Sequence, residues 1–378
     1  MIQILVVSPW AKDANSFYRC MGPWSYLAKQ SRKRGDVVQI RLAQDDIGNQ
    51  GVAWDTVDQC DLVFMHRPCR DGDMTILKVA KNMNVPVWVD YDDWLFDVPL
   101  WNPTAGNYNA QATQNVVATM MAAADVVSVT TDALYQRVKL VNPNVVIIPN
   151  CYRSDIYPYR AAKPLARTPI FAWRGTRTHD ADLLSVAEGF RDLPAKTLFY
   201  GDAPWALFAQ MKPGSYQPIA MQDPFLYMKT LYVNAPKVLL FPLMDCFFNR
   251  VKSNIAYQEA LHAGAICVGP DLPEWRRAGV LTYEPGNAES FAARAREAFA
   301  LPADEHEAIV SQAYEAMIGQ YGAPEINRIR QNTLDQVMRA GFRRSERDPF
   351  DPLLGMWAMG KIKEVSRPEA LDSAKASA

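Results

Sequence analysis

Lys252, Ser253, Asn254 and Glu259 have the types and spacing of an anion site. Val238 to Pro242 (VLLFP) predicts a buried strand, followed by a polar loop to Lys252-Ser253-Asn254. Ile255, Ala256, Glu259, Ala260 and Leu261 then predict a helix that Gly264 stops. The first turn of such a helix presents unpaired N–H groups and the positive dipole end, and Lys252 adds a full charge, so a diphosphate can dock there. Glu259 lies one to two turns further on, roughly 9 Å along the axis from Ser253. That reach suits a carboxylate accepting hydrogen bonds from a ribose whose phosphates sit at the helix start. AICVGP (265–270) predicts the next buried strand, giving strand, loop, helix, strand, the arrangement in which ligands bind beyond the carboxyl ends of strands. Taken singly, Ser253 also fits an ordinary cap and Glu259 a solvated helix residue.

The elements that must position these groups follow from periodicity. QILVVS, VVQIRLA, LVFMHRP, VPVWVDY, DVVSVTT and NVVIIPN are short β-branched runs that suit a parallel sheet. Helical patterns separate them near 18–33, 73–82, 110–124 and 132–140. A second series follows, PIFAWRG, TLFYGD, VLLFP, AICVGP and VLTYE, with helices near 182–191, 225–233, 288–300, 304–321 and 324–340. The expected organisation is an α/β domain at 1–155, a linker at 156–168 and a second α/β domain at 169–322. A C-terminal helix at 323–345, able to cross back to the first domain, and a tail at 346–378 complete it. The tail's small, polar last dozen residues are expected to be disordered, and Leu353, Leu354, Met356 and Trp357 to dock as a short apolar patch. Two such domains would face each other across a cleft, a favoured ligand site.

Composition accommodates this plan. The 378 residues are 49% apolar, and 40 basic against 41 acidic residues leave a formal charge of −1, so overall charge points to neither a nucleic-acid nor a membrane partner. The six cysteines are scattered without a CxxC pair, which fits a reduced, cytoplasmic chain. MIQILVVSPW reads as a first strand rather than a signal segment, and no apolar run nears the length of about 18 residues expected of a transmembrane segment.

Four segments resemble the GT-B glycosyltransferases, particularly the retaining family 4 group, with phage-type enzymes among those of similar architecture. They are FNRVKSNIAYQEALHAGAICVG, FAWRGTRTHDADL, VPVWVDYDDWLFDVP, and ADVVSVTTDAL with NVVIIPN. The resemblance implies the GT-B fold, two Rossmann-like doubly wound domains facing a cleft, the first binding the acceptor and the second a nucleotide-sugar donor. It further implies a hexosyltransferase-type reaction from a UDP- or GDP-type co-substrate to a hydroxyl, with retention, no metal and no tightly bound cofactor. The acceptor would be a glycan or cell-surface saccharide, or a hydroxymethylated base in DNA. One position departs: the family commonly carries two glutamates flanking seven residues, and where Glu259 matches the second, Val251 stands in place of the first. That departure motivates the rival reading of a degenerate nucleotide-binding protein without transferase activity. Phosphorylase or epimerase chemistry on the same fold is a third.

By the same resemblance, Lys252 contacts the diphosphate and Glu259 the ribose, with Ser253 and Asn254 as donors at the helix start. Arg174, at a strand end before a turn at Gly175, would join Lys252 in neutralising the leaving diphosphate. The alternative is an ion pair to Asp180 or Asp182. His179 either hydrogen-bonds the donor or caps the helix near Asp180. Asp90, Asp92, Asp93 and Asp97 follow a buried strand and suit a metal site, a general base or an acceptor loop. The preferred reading has Asp92 or Asp93 orienting the acceptor hydroxyl. Ser16, Tyr18, Arg19 and His66, with Arg67, are expected to face the acceptor. Lys29, Arg32, Lys33 and Arg34 close one helix, and Arg328, Arg330, Arg339, Arg343, Arg344 and Arg347 decorate the last, as a solvated face or a track for phosphates.

Overall fold

A computed structural model of the chain describes residues 1–8, 14–36, 38–44, 54–157, 168–339 and 347–365. Two compact units emerge, one from Met1–Val98, Gly106–Cys151 and Pro324–Ala378, the other from Pro99–Ala105 and Tyr152–Ala323. Most of the expected linker, the end of the tail, and Arg343 and Arg344 lie outside the described residues.

The first unit is built on six parallel strands: β1 (Ile2–Ser8), β2 (Val38–Gln44), β3 (Leu62–His66), β4 (Val87–Tyr91), β5 (Val126–Val129) and β6 (Val145–Ile147). They lie in the order β2-β1-β3-β4-β5-β6. Every residue of β3, β4 and β5 is buried, which is why these strands read as unbroken apolar runs rather than alternating ones. Strand order reverses between β1 and β3, the switch point where open α/β sheets hold ligands beyond their carboxyl ends. Parallel register sets His66 opposite Asp90 and Asp90 opposite Ser128, so three polar side chains end adjacent strands in line.

The second unit repeats the plan with β7 (Thr168–Gly175), β8 (Thr197–Gly201), β9 (Tyr216–Ile219), β10 (Pro236–Leu240), β11 (Ile266–Pro270) and β12 (Val280–Tyr283). The order is β12-β11-β10-β7-β8-β9, all parallel, with its switch point between β7 and β10. The expected α/β class and doubly repeated sheet are present.

Three local differences have physical causes. β9 escapes a sequence reading because it is four residues long and carries Pro218; it is tolerated because it is an edge strand. The helix expected from residue 18 begins instead as a π-helical stretch, Phe17–Met21, followed by Gly22–Arg34. Four successive residues of that stretch, Phe17 to Cys20, are buried, as the wider turn allows. The tail forms a helix, Leu354–Val365, whose Leu354, Ala358 and Ile362 are buried along one stripe. Of the four residues expected to dock, only Leu354 does; Leu353, Met356 and Trp357 are exposed, because the spacing carries them to the opposite face.

Candidate functional site

In the second unit the polar groups gather at the switch point. Arg174 and Gly175 end β7, and the loop after β10 leads through the short helix Phe247–Arg250 to Lys252 and the helix Ile255–Ala263. Gly175 is required by close approach: a Cβ there would lie 2.5 Å from the Trp173 ring and 3.2 Å from His179. Gly264 closes the helix in the left-handed conformation, φ 71°. The expected start and stop of this helix are both in place.

Asn254 takes the N-cap position, but its side chain does not cap. Its amide donates to the Glu274 carbonyl at 3.1 Å and the Tyr321 hydroxyl at 2.9 Å, so the expected side-chain donor at the helix start is corrected to a buried strut. Ser253 and Lys252 are half-buried beside it, and the Lys252 ammonium sits 4.3 Å from the centre of the Phe248 ring.

Glu259 is buried and does what its spacing could not announce. Its Oε2 accepts from Arg174 Nε at 2.6 Å and from the Tyr227 hydroxyl at 3.2 Å. Arg174 therefore pairs with Glu259 rather than with Asp180 or Asp182. Burial first, and then the carboxylate beside it, push the Tyr227 phenol well above its usual range, so it remains a donor at neutral pH.

Asp182 is the organiser that sequence reasoning missed. One oxygen pairs with His179 Nδ1 at 2.9 Å, and the other accepts from the Met244 amide at 2.9 Å and from Asn249 Nδ2 at 2.8 Å. It thereby ties the turn after β7 to the loop after β10. An acidic residue three positions after a histidine was the only signal available. His179 makes no side-chain cap to the helix behind it. Burial lowers its pKa, the Asp182 bond opposes that and Lys252 adds to it, leaving a neutral ring. With Nδ1–H donated to Asp182, Nε2 carries the lone pair. Phe241 packs against this ring at 5.2 Å and stacks on Trp275, forming an apolar wall.

The first unit holds a denser cluster, most of it enclosed. Arg19, expected to face an acceptor, is wholly buried: Nε donates to Asp90 Oδ2 at 2.9 Å, Nη2 to Asp90 Oδ1, and Nη1 to the Ile148 carbonyl. Asp90 also accepts from Ser128 and pairs with His66 Nδ1 at 3.0 Å. Burial alone would raise the Asp90 pKa, but Arg19 and then His66 outweigh it and hold the carboxyl far below its ordinary range. Asp92 is likewise buried and depressed, with Arg67 overcoming the burial. Arg67 bonds Asp92 through Nε and, at 2.9 Å, through Nη2, and reaches Asp93 at 3.3 Å. It does so from a left-handed backbone, φ 48°, a strained conformation for a non-glycine residue. Ser16 and Tyr18 are buried as well. Asp92 and Asp93 thus meet first as partners of Arg67, which, though expected to face the acceptor, holds these carboxylates.

Among the described residues, no group of three or more His, Cys, Asp or Glu side chains is placed to hold a metal ion. No described helix is long and apolar enough to cross a membrane. The described arginines near the C-terminus do not form a single row. Arg328 pairs with Glu325, and Arg347 lies over Trp357. Arg330 is fully buried among the rings of Trp24, Phe64 and Trp88, with centroids 4.6, 5.5 and 5.7 Å away.

No family profile and no curated protein matches the sequence. Solved structures do match in three dimensions. An alpha,alpha-trehalose-phosphate synthase (UDP-forming) from Burkholderia vietnamiensis superposes with a TM-score of 0.57 at 11% identity, over 89% of this chain and 100% of that one. AviGT4, a glycosyltransferase involved in avilamycin A biosynthesis, gives 0.55 at 12% identity, over 90% of this chain and 99% of that one. T4 phage BGT in complex with its UDP-glucose substrate gives 0.50 at 12% identity, over 88% and 100%. The fold of this chain is that of GT-B glycosyltransferases.

Proposed function

We propose that this chain is a glycosyltransferase that moves a hexosyl group from a UDP- or GDP-type nucleotide sugar to an acceptor hydroxyl, with retention and without a metal ion. The observation that carries the reading is Lys252 at the start of the helix Ile255–Ala263, across the switch point from Arg174, with Glu259 further along the same helix. When the bond between the anomeric carbon and the phosphate oxygen breaks, negative charge grows on the departing diphosphate. Lys252, Arg174 and the helix N–H groups would stabilise that charge in place of a divalent cation. Glu259 would receive the ribose hydroxyls, and the neutral His179 would accept a hydroxyl of the sugar through Nε2. Two structural neighbours, a UDP-forming synthase and an enzyme in complex with UDP-glucose, favour a uridine donor.

In this reading the first unit receives the acceptor near Asp92, Asp93 and His66. The acceptor is a saccharide, or a hydroxymethylated base in DNA. Retention rests on the likeness of residues 247–269 to the retaining group. Val251 is fully buried, so any polar contact to the sugar comes from other residues. A thermal-shift panel of UDP, GDP and their sugars, followed by NMR of donor turnover with each acceptor class, tests the proposal. Stabilisation by a nucleotide sugar together with transfer is the expected result. Nucleotide binding without transfer to any acceptor would favour a binding protein instead.

A further inference from the structure

The cation that a diphosphate needs is already engaged by the carboxylate that a ribose needs. Arg174 Nε lies 2.6 Å from Glu259 Oε2, the Glu259 side chain is 3% exposed and that of Arg174 22%, and the Tyr227 hydroxyl donates to the same oxygen. We infer that Arg174, Glu259 and Tyr227 form a specificity gate that withholds the Arg174 charge from anions lacking a ribose. This inference rests on the reading of the site as a nucleoside-diphosphate pocket.

The argument is one of replacement. An inorganic anion that draws the guanidinium away leaves a buried carboxylate short of a charged partner, a costly state. A ribose brings two hydroxyl donors that can satisfy Glu259 as Arg174 departs, so the arginine is released to the phosphates only by a ligand carrying both parts. Binding then discriminates by differential affinity rather than by shape, and a buried carboxylate that loses its Arg174 bond is the penalty set against the wrong ligand. Tyr227 sets the strength of the hold. Its hydroxyl keeps Glu259 partly satisfied while Arg174 moves, and without it the carboxylate depends more heavily on the arginine.

The test is calorimetric titration of the full chain with inorganic pyrophosphate, UDP, GDP and the two 2′-deoxynucleoside diphosphates. Wild type is expected to prefer UDP or GDP to its deoxy form and to bind pyrophosphate weakly. Glu259→Gln should bind pyrophosphate about tenfold tighter than wild type while losing about tenfold in affinity for the nucleotide. Tyr227→Phe should shift pyrophosphate the opposite way, to weaker binding, with the fold checked by thermal melting. Pyrophosphate affinity in Glu259→Gln equal to or below that of wild type overturns the gate. If wild type binds neither UDP nor GDP, the proposed function fails. The pyrophosphate comparison between wild type and variant is then still read by itself, since it needs no nucleotide.

Discussion

Each sheet carries a polar cluster toward the carboxyl ends of its strands, yet the two clusters handle charge in opposite ways. In the first unit Arg19, Asp90, His66 and Ser128 are enclosed and bonded mainly to one another. In the second, Lys252 and Arg174 stay partly accessible, while Glu259 and Asp182 are buried. Equal topology therefore does not mean equal use. A closed charge network fixes strand ends and backbone geometry, whereas partly accessible cations, Lys252 before a helix and Arg174 at a strand end paired to Glu259, can exchange partners with a ligand.

The largest effect should come from opening the closed cluster. Asp90→Ala leaves Arg19 buried without its counter-ion and is expected to destabilise the protein by about 3–5 kcal/mol, read from urea unfolding. A loss below about 1 kcal/mol would mean that the network is not what holds these strand ends. Lys252→Ala should do the reverse: transfer falls about a hundredfold while the melting temperature barely changes. Unchanged turnover would remove Lys252 from the proposed site and erase the contrast between the clusters.

Acid should separate the units by a smaller margin. Asp90 and Asp92 have folded pKa values below their unfolded ones, so their contribution is fully present above the ordinary carboxylate pKa of about 4 and is lost as pH falls below it. In the second unit, burial lowers His262 to about 4, opposed by its bond to the Met228 carbonyl, and His179 is lowered too. Their neutral folded forms favour the native state above the unfolded histidine pKa of about 6.5, and that advantage shrinks as pH falls toward 4. Hydrogen exchange followed from pH 6.5 to 4.5 should show β10 and β11 losing protection while β3 to β5 keep theirs. Loss in the first unit before the second would contradict this assignment of charges.

Much of the fold was legible because its signals are local. Eleven of the twelve strands among the described residues announce themselves as apolar runs, and β9 does not because Pro218 breaks the pattern a strand search relies on. The helix from Ile255 to Gly264 was readable from order and stop signal alone, as was the anion-binding promise of Lys252. Side-chain commitments were not legible. Asn254 looks like a donor offered to a ligand at the helix start, but its amide is spent on Tyr321, 67 positions away. Arg19 looks available at the start of a helix, but the π-helical turn and Asp90, 71 positions on, enclose it.

The sequence by itself determined the element types, the parallel α/β class, the helix start beside Lys252 and the departure at Val251. Periodicity, turn residues and capping order act over a few positions and need no partner. Only the tertiary structure decided which charges meet: His66 with Asp90 across 24 residues, Arg19 with Asp90, and Arg174 with Glu259 across 85. The physical reason is that elements adjacent in space are distant in the chain. Strand register pairs His66 with Asp90, and the packing of helical segments against strands brings Arg19 to Asp90 and Glu259 to Arg174.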